Sequence, residues 1–361
     1  MKLSVVLACR NEFPTLLGTI YSFYEDLLWL RPGDEFEFVV VDNCSTDSTA
    51  AILRDRMRRW IKHGLLKVLI FDERPGNVVA RNVGAQAASG DVVIFADGHL
   101  SIAEGLTYRL YHGAKQGGVW HPGFQMWGDT NDIRAYGYEP KLHEKFWGNI
   151  SGKVPAGVKK EGKRPTEPYL IPMASHCCLA VNRSEFLDLQ GYGDRLRVYG
   201  GGEPLLDMKY WVCGSTVHME PRALVRHCAF GTKIGWQPAK KAETKNQIYV
   251  RREGEKSGRF VPERDIQPGD VRLKSSRDYA WTNEHKDHNF MAAAYIVGGY
   301  EWLQRIYKVF WEKRAPTQRY VDDLNELRRQ VLSGCAEERA FVEARTVRTL
   351  DDLLASPPWP T

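Results

Sequence analysis

The chain has 361 residues, a formal net charge of +5 at pH 7 and a hydrophobic fraction of 43%. This length suits one large α/β unit with additions or two modest domains, and the apolar content excludes a chain that is disordered over most of its length. The mild positive charge excludes a histone-like tail and an acidic solvating protein, but as a total it does not indicate nucleic-acid binding.

The N-terminal segment and the cysteines favour a reducing, aqueous compartment. The N-terminus becomes charged too early for a signal peptide, and no apolar run approaches the roughly 20 residues of a membrane helix. The seven cysteines are scattered without a C-x-x-C pair, so a disulfide framework is not expected. We therefore expect a cytoplasmic protein without a membrane span.

Apolar runs and amphipathic stretches alternate over the N-terminal part of the chain. The pattern predicts strands at 3–8, 37–41, 67–71 and 91–96 and helices at 15–30, 48–60 and 77–89. This alternation is typical of a parallel sheet, in which ligands bind beyond the carboxyl ends of the strands. Asn11, Asp42 and Asp97 each follow a strand, so we expect them at that edge of the sheet.

Beyond residue 100 the pattern is less regular. It predicts a strand at 171–181, a short helix at 184–189, a helix that follows the Tyr199–Glu203 turn, and further helices from 289 to about 343. No internal repeat is visible.

Asp97-Gly98-His99, at the end of the fourth strand, carries the strongest chemical signal. A carboxylate and an imidazole two residues apart, with glycine at the turn, can bind one divalent cation, and mixed oxygen and nitrogen ligands suit Mn²⁺. The alternative is a turn aspartate beside an incidental surface histidine.

Two further polar residues can contact a nucleotide. Asp42 can accept hydrogen bonds from a base or ribose, or can form an Asx-type turn in which Ser45 or Asp47 caps the next helix. Arg81 lies in a helix of small residues. Its fork-shaped guanidinium can bind phosphate, or it can remain a solvated side chain.

The second half of the chain adds one carboxylate and two histidines. Gly201-Gly202-Glu203 places a carboxylate at a helix start, where it can hydrogen-bond sugar hydroxyls or simply interact with the helix dipole. His176 and His227 each follow or lie within apolar stretches. Taken singly, each is compatible with a structural role as well as with a functional one.

Together these motifs resemble the GT-A (family-A) glycosyltransferases, most of all the polypeptide N-acetylgalactosaminyltransferases and their family-2-like relatives. The resemblance covers residues 3–230. Its segments are Leu3–Leu7, Arg10–Glu12, Val39–Asp47, Ala80–Ala85, Ala96–His99, Met173-Ala174 and Gly201–Glu203, the last matching the G-G-E of the family's W-G-G-E-N motif. His176-Cys177-Cys178 stands where the family has small residues.

The resemblance implies an α/β GT-A fold, a Rossmann-like sheet with a C-terminal helical extension. It divides the chain into a catalytic domain at 1–230, a basic mobile loop region at 231–288 and the helical extension at 289–361. Within the catalytic domain, it implies a nucleotide-binding half at 1–100 and an acceptor and sugar half at 101–230. It also implies a UDP-sugar as donor substrate and Mn²⁺ or Mg²⁺ as cofactor.

Site residues follow from the resemblance by position. The implied metal ligands are Asp97, His99 and His227. The implied catalytic residues are Glu203, Asp97 and Arg81. The implied nucleotide-sugar-binding residues are Ala8, Arg10, Asn11, Asp42, Arg81, Gly98, His176, Gly201, Gly202 and Glu203.

The residue after Glu203 bears on the stereochemistry. Inverting relatives place a general-base aspartate at that position, whereas this chain has Pro204. The resemblance therefore favours a retaining transfer, in which the leaving phosphate accepts the proton of the acceptor hydroxyl.

The basic excess lies mainly in two segments outside the nucleotide-binding half. Residues 153–164 carry five basic side chains against one acidic, and residues 233–260 carry eight against three. With interleaved aromatic residues, such segments suit a phosphate backbone. They favour, as acceptor, a flipped-out hydroxymethylated base in DNA, the substrate of some bacteriophage enzymes, in a bacterial or phage-infected cell.

Other functions remain open at this point. The charged segments can be merely solvated loops. The acceptor can instead be a protein serine or threonine or a glycan, and the chain can be a nucleotide-sugar-binding module without catalysis.

Overall fold

The computed structural model of the chain describes residues 1–13, 15–28, 31–126, 137, 165–227, 271–273, 283–313 and 318–356. Its strands are β1 (Lys2–Cys9), β2 (Glu35–Asp42), β3 (Leu66–Phe71), β4 (Val92–Ala96), β5 (Leu100–Ile102), β6 (Val119–Met126), β7 (Tyr169–Leu170), β8 (Cys178–Asn182), β9 (Val217–His227) and β10 (Val271–Leu273). Its helices are α1 (Thr15–Leu27), α2 (Thr49–Arg56), α3 (Arg58–Lys62), α4 (Asn77–Ala87), α5 (Leu106–Ala114), α6 (Arg183–Asp188), α7 (Gly202–Val212), α8 (Asn283–Lys313), α9 (Gln318–Gly334), α10 (Ala336–Glu343) and α11 (Leu350–Ala355).

The described strands form one mixed sheet in the order β10-β3-β2-β1-β4-β8-β6-β9-β5, with β7 beside β9. From β10 to β4 neighbouring strands are parallel, as predicted. Beyond β4 the sheet becomes mixed, because β8 pairs with β4 in the antiparallel direction. The chain leaves β4 through a turn into β5 instead of a crossover helix, so the rule that makes successive strands parallel no longer applies.

Two apolar cores cover the two faces of this sheet. Successive side chains of β1 point to opposite faces, so Val6 lies in one core while Val5 and Leu7 lie in the other, and all three are fully buried. The core around Val6 also contains apolar residues of α7, α8 and α9. The C-terminal helices therefore share a core with the sheet instead of packing as a separate body.

Some predicted elements differ from those in the structure. The predicted strand at 171–181 is wrong in its first part, because strand structure resumes only at Cys178. Pro172 lacks the N–H that a sheet ladder requires, and the segment that follows it forms a turn. The amphipathic helix predicted at 48–60 is divided into α2 and α3.

The boundary of the predicted C-terminal extension also moves. Helix α8 begins at 283, earlier than the predicted 289. The predicted mobile loop region at 231–288 contributes β10 to the sheet beside β3. Residues 228–270 and 274–282 lie outside the described part of the chain, so the rest of that prediction is untested.

Helix α8 holds the loop that precedes α7. The fully buried Asn289 donates from Nδ2 to the carbonyls of Arg197 (2.6 Å), Tyr199 (3.1 Å) and Gly200 (3.1 Å). Its Oδ1 accepts the Arg197 N–H at 2.7 Å. A Cβ on Gly201, where φ is +75°, would lie 2.8 Å from the Asn289 carbonyl oxygen. The G-G-E turn can therefore approach α8 this closely only with glycine at that position.

We predict that Asn289→Ala lowers the free energy of unfolding by about 3 kcal/mol, because it leaves buried main-chain groups of the α7 loop without partners. Urea denaturation followed by circular dichroism measures the change. The exposed Gln116→Ala variant is the control and should stay within about 0.5 kcal/mol of the parent. Equal stability of the two variants would contradict this role of Asn289.

Candidate active site

The loops after β1 and β2 are tied together by side chains predicted to bind the nucleotide. Asn11, in the left-handed region at φ +55°, accepts the Thr46 N–H at 2.7 Å through its Oδ1. Arg10 donates from Nη1 to the carbonyls of Asn43 (3.1 Å) and Cys44. The structure thus brings Arg10 and Asn11 to one edge of the sheet, next to the half-buried Ala8 at the end of β1. There they shape the edge through main-chain contacts.

Asp42 forms the predicted Asx-type turn with one oxygen and leaves the other without a partner in the described part of the chain. Its Oδ1 accepts the Ser45 N–H at 2.9 Å and so closes an Asx-type turn. Its Oδ2 is buried and has no hydrogen-bond partner among the described residues. Burial raises the pKa of this carboxyl to about 6, although the hydrogen bonds from Ser45 act in the opposite direction. A buried acceptor left over at the ligand-binding edge of the sheet is one that a ligand N–H or O–H can satisfy.

Asp97, His99 and His227 converge on one point. The antiparallel pairing of β5 with β9 sets Leu100 opposite His227, which brings the preceding His99 beside it. The Nε2 atoms of the two histidines lie 3.0 Å apart, and His227 Nε2 lies 3.6 Å from Asp97 Oδ2. Their ligand atoms all lie within 4.8 Å of one another. One carboxylate oxygen and two imidazole nitrogens form a donor set that fits a single Mn²⁺-like divalent cation.

Glu12 orients one of these histidines. Its Oε2 lies 3.0 Å from His99 Nδ1, which assigns the proton to Nδ1 and turns a bare Nε2 towards the convergence point. Although burial alone would lower it, the Glu12 hydrogen bond and charge raise the pKa of His99. A Cβ on Gly98 would lie 2.9 Å from Glu12 Cγ, so glycine is needed there for Glu12 to reach His99. Carboxylates commonly hold metal-binding histidines in this way.

Arg81 is buried behind the Asp97 carboxylate and is not the solvated side chain of the alternative prediction. Its Nη2 donates to Asp97 Oδ1 at 2.9 Å and to the carbonyl of His176 at 2.7 Å, and its Nη1 donates to the Tyr192 hydroxyl at 3.1 Å. Burial alone would raise the pKa of Asp97, but the His227 hydrogen bond and the Arg81 charge hold it below its usual range. Asp97 is therefore a carboxylate at neutral pH.

His176 and Glu203 lie near the Arg81 network. Both ring nitrogens of His176 have protein partners: Nδ1 lies within hydrogen-bond distance of the Tyr192 hydroxyl, and Nε2 lies within hydrogen-bond distance of Asp207. The ring therefore has no nitrogen left for a donor substrate. It is connected to the site through Tyr192 and Arg81. Glu203 lies in the first turn of α7. Together with burial and Asp207, its charge raises the pKa of Tyr192, which indicates that the carboxylate is near the same network.

Sequence reasoning missed several residues that support the site. Glu12 was visible only as part of the Arg10–Glu12 segment, and nothing in the sequence connects Tyr192 with Arg81. Asp207 left a partial signal, since it is an acidic residue flanked by Leu206 and Met208, although Glu203 and Lys209 lie in the same helix. Such a position indicates a buried carboxylate that needs partners. The other supporting residues are His121 and Asn289.

Comparison with known proteins identifies the family. A family model described as glycosyl transferase family 2 matches residues 4–188, just over half of the chain. The chain belongs to this family. The match includes β1 to β4 and β8, and hence Asp42, Arg81, Asp97 and His99, while Glu203 and His227 lie beyond it.

Curated relatives include animal enzymes. The chain is 28% identical over 243 residues to N-acetylgalactosaminyltransferase 7 of Drosophila melanogaster, which covers 62% of this chain and 39% of the relative. It is 26% identical over 245 residues to polypeptide N-acetylgalactosaminyltransferase 6 of Bos taurus, covering 64% and 38%. The chain therefore spans about two fifths of the length of these relatives.

A solved structure supports the fold assignment. The crystal structure of GalNAc-T7 with UDP, GalNAc and Mn²⁺ superposes with a TM-score of 0.65 at 20% identity, covering 98% of this chain and 57% of that one. The predicted GT-A fold is thereby confirmed. Across the described residues, we find no helix with the length and apolar character needed to span a bilayer.

We predict that Glu12→Gln weakens Mn²⁺ binding about 10- to 100-fold, because the amide no longer fixes His99 in the tautomer that presents a bare Nε2. Isothermal titration calorimetry on the folded variant measures the affinity. Glu104→Gln, at an exposed position outside the site, is the matched control and should bind as the parent does. If both variants bind Mn²⁺ equally, Glu12 does not support the metal site.

Proposed function

We propose that the chain is a metal-dependent glycosyltransferase that moves a sugar from a UDP-sugar to an acceptor hydroxyl. The observation that carries this proposal is the convergence of Asp97, His99 and His227 at the carboxyl edge of the sheet, beside a buried arginine. A divalent cation held by these three side chains would neutralise the diphosphate as the sugar departs. A non-catalytic binding module has no need for such a donor set.

The chemistry of two residues on this edge of the sheet supports the binding of such a donor. Asp42 Oδ2, which has no partner among the described residues, can accept a hydrogen bond from the uracil or ribose. Arg81 lies behind Asp97, and its positive charge favours a negatively charged diphosphate at the metal site. GalNAc-T7, the solved neighbour, was crystallised with UDP, GalNAc and Mn²⁺. That likeness supports UDP-GalNAc as the first donor to test.

We propose that the transfer retains the anomeric configuration. The residue after Glu203 is Pro204, and the next carboxylate in α7, Asp207, is fully buried against two imidazoles and cannot reach an acceptor. The proton of the acceptor hydroxyl then goes to the leaving phosphate oxygen. The bond from that oxygen to the anomeric carbon breaks as the acceptor oxygen bonds to the same face, and the protein supplies positioning and charge stabilisation.

Two acceptor classes are supported by separate observations. The names of the curated relatives favour a polypeptide hydroxyl. The basic composition of 153–164 and 233–260 favours a hydroxymethylated base in DNA, although both segments lie outside the described residues. We place the polypeptide hydroxyl first, because it rests on similarity over more than half of the chain.

The first test measures turnover. With Mn²⁺, the protein should hydrolyse a UDP-sugar slowly and transfer the sugar to one acceptor in a panel of peptides, glycans and hydroxymethylated DNA, read by mass spectrometry. Asp97→Ala should reduce both rates at least about 100-fold. The product's anomeric configuration, read by NMR, tests retention. Donor binding without turnover on any acceptor or on water would favour the non-catalytic module instead.

The pH dependence of nucleoside binding tests the role of Asp42. Its carboxyl has a raised pKa of about 6, so it is charged above that pH and protonated below it. We expect the affinity for uridine to fall as the pH decreases from 7.5 to 5, because the carboxylate acceptor is lost. Uridine has no phosphate groups, and without added metal the titration of His99 and His227 does not change its affinity through metal binding. Asp42→Asn should bind weakly and with no such step, and a flat profile in the parent would contradict the assignment.

A further inference from the structure

A chain of buried hydrogen bonds runs behind the candidate metal site from Arg81 to α7. The Tyr192 hydroxyl lies 3.1 Å from Arg81 Nη1 and 3.0 Å from His176 Nδ1. At the far end, Asp207 Oδ1 lies 3.0 Å from His176 Nε2 and 3.3 Å from His121 Nε2. All five side chains are at most 5% exposed. The network is therefore shielded from bulk water.

The protons in this network can be assigned from one end. A guanidinium only donates, so the Tyr192 oxygen accepts from Arg81 and its single proton must go to His176 Nδ1. His176 Nδ1 is then bare, its proton is on Nε2, and that N–H donates to Asp207. Burial lowers the pKa of His176, which keeps the ring neutral as this assignment requires.

Asp207 is the fixed acceptor at the end of the network. Its Oδ2 accepts the Ala174 N–H at 3.1 Å, and its Oδ1 accepts from both imidazoles. Although burial alone would raise it, the two imidazoles hold the pKa of Asp207 well below its usual range. The His121 ring stacks on that of His176 with centroids 5.3 Å apart, which keeps both rings in place.

The same three side chains, His121, His176 and Asp207, could instead hold a second metal ion, since their ligand atoms lie within 4.8 Å of one another. A cation there would take the lone pair of His176 Nε2 and force the proton onto Nδ1. The Tyr192 hydroxyl would then face two donors, and its own proton would be buried without an acceptor. The hydrogen-bonded arrangement gives the Tyr192 proton an acceptor, so the geometry favours it. Both arrangements leave His121 Nδ1 and Arg81 Nε without a hydrogen-bond partner among the described residues.

We propose that Asp207, His176 and Tyr192 form a positioning relay that fixes the Arg81 guanidinium and, through it, the Asp97 carboxylate for the donor diphosphate. This proposal rests on the proposed function for its effect on turnover, but not for the proton assignment. Asp207, His176 and Tyr192 are positioning residues, because they act on the site only through Arg81 and its contact with Asp97.

Removing the relay should reduce turnover more than donor affinity. Arg81 keeps its contacts with Asp97 and the His176 carbonyl when the Tyr192 hydroxyl is lost, so the donor still binds. The guanidinium is no longer held at the angle set by its third acceptor, and a misplacement of that kind affects the transition state. We expect Tyr192→Phe to lower kcat for UDP-sugar turnover about 10- to 100-fold with KM within about threefold.

The chain offers a closely matched control. Tyr210 is also fully buried, and its hydroxyl has no hydrogen-bond partner among the described residues. Tyr210→Phe removes the same atom from the same core without affecting the relay, so it should keep kcat within about twofold. Equal kcat values for Tyr192→Phe and Tyr210→Phe would overturn the proposal.

Asp207→Asn tests the direction of the hydrogen bonds. The Ala174 N–H would hold the amide oxygen, which turns the amide NH₂ towards His176 Nε2 and moves the imidazole proton to Nδ1. Tyr192 could then no longer donate to the ring. We expect kcat to fall about as far as in Tyr192→Phe. The double variant should be no worse than either single variant, because both break the same chain.

NMR of the protein labelled with ¹⁵N-histidine tests the relay without any donor. In the parent, His176 should show a pyridine-type Nδ1 and a pyrrole-type Nε2, and Asp207→Asn should exchange them. A protonated Nδ1 in the parent, or a tightly bound metal ion that survives loss of the other site in His99→Ala, would overturn the relay. Absence of turnover in the parent with the expected nitrogen signals would instead count against the proposed function alone.

Discussion

The ion pair between the buried Arg81 and the partly exposed Asp97 is the interaction on which the geometry of the site depends. A guanidinium withdrawn from water needs acceptors for its N–H groups. Here a carboxylate, a main-chain carbonyl and a phenol accept from Nη1 and Nη2 of Arg81, while its Nε has no partner among the described residues. Because Arg81 holds one oxygen of Asp97, the other is turned towards His227. The direction of that carboxylate, and with it the donor set for a cation, follows from where Arg81 is fixed.

The C-terminal helices also help to position the site. Asn289 of α8 satisfies four main-chain groups of the loop that leads into Gly201-Gly202-Glu203, and α7 carries Asp207 on its buried side. Helix α7 therefore lies between the helical extension and the Arg81 network. The side chain of Asn289 thus connects the helical extension to the loop that leads into α7.

Sequence patterns predicted the strand ends well and the cross-chain contacts poorly. Asp42 and Asp97 could be assigned to one edge of the sheet because uninterrupted apolar runs mark buried parallel strands. The contact between Arg81 and Tyr192 joins residues 111 positions apart and depends on the antiparallel return of β8, which no periodicity encodes. Asp207, flanked by Leu206 and Met208, could have indicated a buried carboxylate, but its partners depend on the fold.

The metal donor set has a consequence for the stability of the protein as a whole. His99 and His227 are 128 residues apart in the chain and meet only because β5 pairs with β9. An unfolded chain offers a cation no comparable set of ligands, so binding would favour the folded state by mass action. The cation would then close a very long loop as a crosslink does, and the thermal stability of the sheet edge would depend on free metal concentration as well as on packing.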